Sequence, residues 1–147
     1  MVRLGLLAAL ATLAVAGGTS SAVVDAPCLQ TGGKVAHYCG PASASLSVFP
    51  GVAFRSGSCA RKVVNGVHLL QVRIGAKALD GSRTNDGLRL FSLGMSDSRA
   101  GSLVTYYRSK RWFGRVVSFR SEARGETFVT QGVSGSRGHA TGSFRCS

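Results

Sequence analysis

The dominant pattern along the chain is alternation. Ala42, Ala44, Leu46 and Val48 are separated by Ser43, Ser45 and Ser47, the period of two expected of a strand with one buried face. Pro50-Gly51 turns the chain, and Val52 to Arg55 starts a second strand running on towards Cys59. Asn65-Gly66 is a hairpin signal, because a two-residue turn needs two residues that tolerate positive φ. It precedes Val67 to Ile74, where Leu70, Val72 and Ile74 share one face and Gln71 and Arg73 the other. Leu88 to Leu93, Leu103 to Tyr107, Val116 to Phe119 and Thr127 to Val133 read as further short strands between turn-forming segments. The last segment puts Ala140, Gly142, Phe144 and Cys146 on one face and His139, Thr141, Ser143 and Arg145 on the other. No segment after the N-terminal apolar run has a 3.6-residue stripe. The pattern predicts an all-β fold, an antiparallel β-sandwich or barrel of about 7–8 short strands.

The N-terminus follows a different rule. Arg3 is followed by an apolar run from Leu4 to Val15 and then by small residues. That is the order of a secretory signal peptide, and Ser20-Ser21-Ala22 suits cleavage after Ala22. The run is short of the ~20 residues a membrane span needs, and no later run is as apolar, so no span is expected after cleavage. The domain expectation is a signal peptide over 1–22, an N-terminal segment over 23–40 and a single β domain over 41–147. The expected location is secreted, extracellular or periplasmic.

Export changes the reading of the four cysteines. Cys28, Cys39, Cys59 and Cys146 are even in number, and a small exported domain uses such a set for disulfides. Three connectivities are open. The favoured one joins Cys28 to Cys39 around Gly32-Gly33 and Cys59 to Cys146, tying an early strand to the chain end. No C-x-x-C pair exists and the spacings match no zinc pattern, so neither a metal nor a cofactor is expected.

Composition adds charge. Among 147 residues, 18 are Lys or Arg against 6 Asp or Glu, a formal net charge of +12. Disorder, a coiled coil and a multidomain enzyme are poor fits to this length, hydrophobic content and abundance of Gly. The most distinctive segment is Tyr106 to Arg115, where Arg108, Lys110, Arg111 and Arg115 are interleaved with Tyr106, Tyr107, Trp112 and Phe113. Clustered cations attract anionic polymers, and rings among them can stack on bases or sugars. If Lys110-Arg111-Trp112 is a turn, its side chains fan into solvent together. The candidate binding set is therefore Arg108, Lys110, Arg111, Trp112 and Arg115. The same segment also reads as a hairpin whose rings are core and whose charges resist edge pairing.

Cys59, Val72-Arg-Ile-Gly75, Gly87-Leu-Arg-Leu-Phe-Ser-Leu-Gly94 and the terminal Thr141-Gly-Ser-Phe-Arg-Cys146 occur in an order that resembles small secreted mycobacterial lipoprotein antigens. The likeness covers about residues 59–146. It implies a β-rich, non-catalytic envelope or secreted protein and transfers no catalytic residue. The chain departs from that pattern in lacking a cysteine directly after the apolar run and in having the Cys28–Cys39 candidate pair.

Catalytic constellations are sparse. His37, His68 and His139, with Glu122, Glu126 and Arg145, are the groups from which a nuclease-like site would have to be assembled. Gly94-Met-Ser96-Asp-Ser98 and Gly132-Val-Ser134-Gly135-Ser136 both miss G-x-S-x-G at its last glycine. The sequence is thus read as a non-enzymatic exported β protein with a structural or binding role at the envelope or outside the cell. Its expected partners are anionic polymers, either envelope polysaccharide or nucleic acid, or an acidic protein. The alternatives are a small basic hydrolase such as a ribonuclease, and an inhibitor of a secreted enzyme presenting the Tyr106–Arg115 segment.

Overall fold

A computed structural model describes residues 35–79, 88–97 and 99–147. Among them every regular element is a strand: β1 (Val35–His37), β2 (Ser43–Leu46), β3 (Ala53–Arg55), β4 (Gly57–Val64) and β5 (Val67–Ala78). These are followed by β6 (Arg89–Ser96), β7 (Ala100–Tyr107), β8 (Lys110–Glu122), β9 (Gly125–Gly132) and β10 (His139–Arg145). The expected signal peptide, Cys28 and the first part of the N-terminal segment lie outside the described residues.

The strands form one antiparallel sheet in the order β1-β5-β6-β7-β8-β9-β10-β2-β3, with β4 also paired to β5. That order closes on itself. β3 lies at one end of it, yet its continuation across Ser56, β4, pairs along β5 at the other end. Ser56 takes φ 66°, and its carbonyl accepts a 3.0 Å hydrogen bond from the Gly75 amide. One bent segment therefore pairs at both ends of the order, which curls the sheet round on itself. The sequence left sandwich and barrel open, and the single curled sheet with its shared strand is barrel-like.

Closure gives the alternation its meaning. Leu70, Val72 and Ile74 of β5, Phe91, Leu93 and Met95 of β6, Leu103 of β7, Phe128 of β9 and Phe144 of β10 are buried in one core. Their neighbours Gln71, Arg115, Gln131, Thr141 and Ser45 are exposed on the outer face. An apolar inside and polar outside is the reverse of a membrane-spanning barrel. The inner face is crowded enough to demand glycine: a Cβ on Gly142 would lie 2.2 Å from Phe128 Cζ. A bulge between Val116 and Ser118 shifts the β8–β9 register, so alternation changes parity there and Phe119 returns to the inner side against Phe144, their ring centroids 6.1 Å apart. Val117, displaced by the bulge, is 48% exposed.

The lower part of β4 reaches the end of β10 without a backbone ladder between them. Cys59 and Cys146 are disulfide-bonded there, with Cα atoms 5.5 Å apart, as the favoured pairing expected. Nearby, Arg61 forms a salt bridge to Glu126, which points inward and is 8% exposed. Cys39 is also disulfide-bonded, while its expected partner Cys28 lies outside the described residues. The Cys59–Cys146 loop spans 87 residues, so replacing both cysteines by Ala is expected to lower stability by about 2–5 kcal/mol in denaturant titrations. Gly142→Ala should cost about 1–3 kcal/mol by overpacking, with the ladder still formed by circular dichroism.

Candidate functional site

The basic-aromatic segment is a hairpin, and its turn is narrower than the sequence suggested. Tyr107 pairs with Lys110, leaving only Arg108 and Ser109 in the loop, with Arg108 at φ 56°. Lys110, Arg111 and Trp112 thus belong to β8 and do not fan out together. Alternation sends Arg111, Phe113 and Arg115 outward and Trp112 inward.

This corrects the place of Trp112 in the candidate set. It is 6% exposed and part of the core. Its indole Nε1 donates to Thr130 Oγ1 at 3.2 Å, and Thr130 Oγ1 in turn donates to the Ala140 carbonyl at 3.4 Å. Thr105 Oγ1 donates to the Trp112 carbonyl at 3.3 Å. The two threonines are fully buried; each fits inside because it meets a polar partner there. Trp112 holds β8, β9 and β10 together and is closed to a ligand.

Arg108, Lys110, Arg111 and Arg115 are all exposed, but they do not form one cluster. Arg115 lies midway along the outer face, where it donates to Gln131 Oε1 at 3.3 Å. Arg111 lies over the Tyr106 ring at 5.7 Å. At the turn itself the structure adds a residue from outside the segment: Arg89 of β6 stands opposite Tyr107. The Tyr107 ring carries Arg89 at 5.1 Å and Arg108 at 5.4 Å, and its centroid is 6.0 Å from that of Phe49. Two cations, Arg89 and Arg108, thus flank one anchored ring, and a third, Lys110, is paired with Tyr107 across the hairpin. Arg89 is separated from the segment by seventeen residues or more, and only the β6–β7 register reveals it.

Among the described residues, the carboxylates gather at one end of the sheet. β7 and β8 both run between the Arg108 turn and the opposite end. The described carboxylates, Asp97, Glu122 and Glu126, all stand at that opposite end, in or beside the β6–β7 and β8–β9 turns. Asp97 Oδ1 accepts from the His68 amide at 2.9 Å, Glu122 accepts from Thr127 Oγ1 at 3.3 Å, and Glu126 is held by Arg61. Among the described residues, the Arg108 end has cations and no carboxylate. The loop 133–138, with Arg137 exposed, borders this same end, because the Phe113 amide donates to Ser136 Oγ and the Val133 amide to the Phe113 carbonyl, both at 2.9 Å.

The histidines are dispersed. His37 pairs with Ala76 on β5, whereas His68 stands eight residues away on that strand, roughly 26 Å at about 3.3 Å per residue. His139 faces Gln131 on β10, at the other end of the barrel from His68. Glu122 and Glu126 flank one tight turn but look different ways, one to solvent and one to the core.

These observations define the chain as a small antiparallel β protein of one curled, barrel-like sheet, with a cluster of cations at one end. Comparison with protein-family models, curated proteins and solved structures gives no match.

The buried Trp112 makes a checkable contrast. It is the single tryptophan, so fluorescence should be blue-shifted and little quenched by iodide. Thr130→Val, which leaves the indole N–H and the Ala140 carbonyl without their bridge, should cost about 1–3 kcal/mol in unfolding experiments.

Proposed function

We propose that this is an exported, non-enzymatic β-barrel that binds an anionic partner through the basic end formed by Arg89, Arg108 and Lys110, with Arg111 and Arg137 alongside. The observation that carries this reading is the convergence of cations from two hairpins: Arg89 of β6 and Arg108 of the β7–β8 turn both lie over the Tyr107 ring, and Lys110 pairs with Tyr107. Each exposed cation alone contributes little. A field summed over neighbouring cations steers and holds a polyanion, whose bound counterions are released on contact.

The disulfide between Cys59 and Cys146 supports an oxidising compartment. The signal-like N-terminus and the resemblance to secreted mycobacterial lipoprotein antigens support a role at the envelope or outside the cell. An anchored tyrosine between two guanidinium groups also suits binding, since the ring restricts the side chains that would meet the ligand.

Affinity for an immobilised polyanion should fall about tenfold or more between about 50 and 200 mM salt. The combined variant Arg89→Gln, Arg108→Asn and Lys110→Gln should weaken retention far more than Lys62→Gln, Arg99→Gln and Arg124→Gln at the other end. Asn is chosen at 108 because it tolerates positive φ. Equal losses from the two sets would mean that charge acts diffusely, and no retention at all at low salt would remove the reading.

A further inference from the structure

The chain contains seven Phe, three Tyr and one Trp, and none of these rings is exposed. The half-buried ones already have partners. Tyr107 has an arginine at each of two positions over its ring, Tyr106 is met by Arg111 and by the edge of Phe113, and Phe119 leans on Phe144. Single-stranded nucleic acids are held by stacking bases on aromatic platforms as much as by charge. With no exposed ring, this surface stacks neither bases nor sugars, so a partner on it is met by charge and hydrogen bonds.

What it offers instead is hydroxyl groups. On the outer face of β8, β9, β10 and β2 lies an open groove of about 750 Å³. One row across it is Ser45, Ser143, Thr127 and Arg120, in register strand to strand; the first two hydroxyls are 3.1 Å apart, and the Thr127 hydroxyl donates to Glu122 Oε1, leaving its oxygen lone pairs to accept. A second row is Ser47, Thr141, Val129 and Ser118. The loop from Phe49 to Val52 forms one wall, and the contact of Phe49 with Tyr107 brings that wall against the Arg108 turn. Side-chain hydroxyls both donate and accept, matching the hydroxyls of a sugar. Strands repeat every 4.7–4.9 Å, close to the length of one sugar ring in a linear glycan. Arg120 at the end of the first row offers a fork that fits a carboxylate or sulfate.

We infer that the anionic partner is an acidic polysaccharide, laid along this groove with its acid groups at Arg120 and at the Arg108 turn and its hydroxyls on the two rows. This rests on the reading of the basic end as an anion-binding surface. It adds the ligand class and a path that the basic segment alone does not provide.

The test uses the purified protein with polygalacturonate, neutral dextran and poly(dT) of similar length at one salt concentration. Polygalacturonate should bind more tightly than poly(dT), and dextran weakly. Thr141→Val and Ser118→Ala should each weaken polygalacturonate by about fivefold while leaving poly(dT) unchanged, and Arg120→Gln should reduce the salt dependence. Unfolding midpoints establish that these surface variants remain folded. Polygalacturonate binding that ignores all three substitutions, or poly(dT) binding more tightly, would overturn the glycan groove and leave the basic end standing. Failure of both polyanions to bind at low salt would overturn the basic end itself.

Discussion

Closure of the sheet is the constraint on which everything else depends. A strand that bends at Ser56 pairs with β2 before the bend and with β5 after it, so both edges of the sheet are used by one segment. Once the sheet curls round on itself, side chains alternate between a small interior and the solvent, with a change of parity at the bulge between Val116 and Ser118. The interior admits Phe, Leu, Trp and fully bonded Thr, and it needs Gly142 where Phe128 fills the space. Where backbone pairing runs out, between β4 and the end of β10, the disulfide and the Arg61–Glu126 pair hold the seam.

The same alternation distributes the chemistry. Within Tyr106 to Arg115, neighbours in sequence go to opposite sides of the wall. Trp112 becomes part of the core that fixes the barrel, while Arg111 and Arg115 are left outside. The basic end is then assembled across strands, from Arg89 of β6 and Arg108 and Lys110 of the β7–β8 hairpin, around a tyrosine anchored by Phe49. A segment that looks like one binding motif in sequence is in space a structural tryptophan with cations dispersed around it.

Turn placement sets where the described carboxylates stand. In an up-and-down barrel, alternate turns lie at the same end. Asp97, Glu122 and Glu126 belong to turns of one end, and the Arg108 turn to the other. The carboxylates near the first end are engaged by His68, Thr127 and Arg61. The outer wall between the ends carries hydroxyls and amides, because residues there meet water and need only suit a pleated surface.

Much of this was legible in the chain. Period-two alternation located most strands and their inward faces, including Leu70-Val72-Ile74 and Ala140-Gly142-Phe144. Asn65-Gly66 announced its hairpin, with φ 51° and 79° at the two positions, and an even cysteine count behind a signal-like N-terminus favoured Cys59–Cys146. These are local rules, since side-chain period, turn conformation and redox setting do not need a partner strand to be known. What the chain alone left open was everything set by register. Sandwich or barrel depended on β3 and β4 reaching both edges of one sheet. The fate of Trp112 depended on a turn just two residues long, which shifted the parity of all that followed. Arg89 joined Tyr107 only because β6 pairs with β7 at that position, a pairing that distant segments make in space and no local pattern encodes.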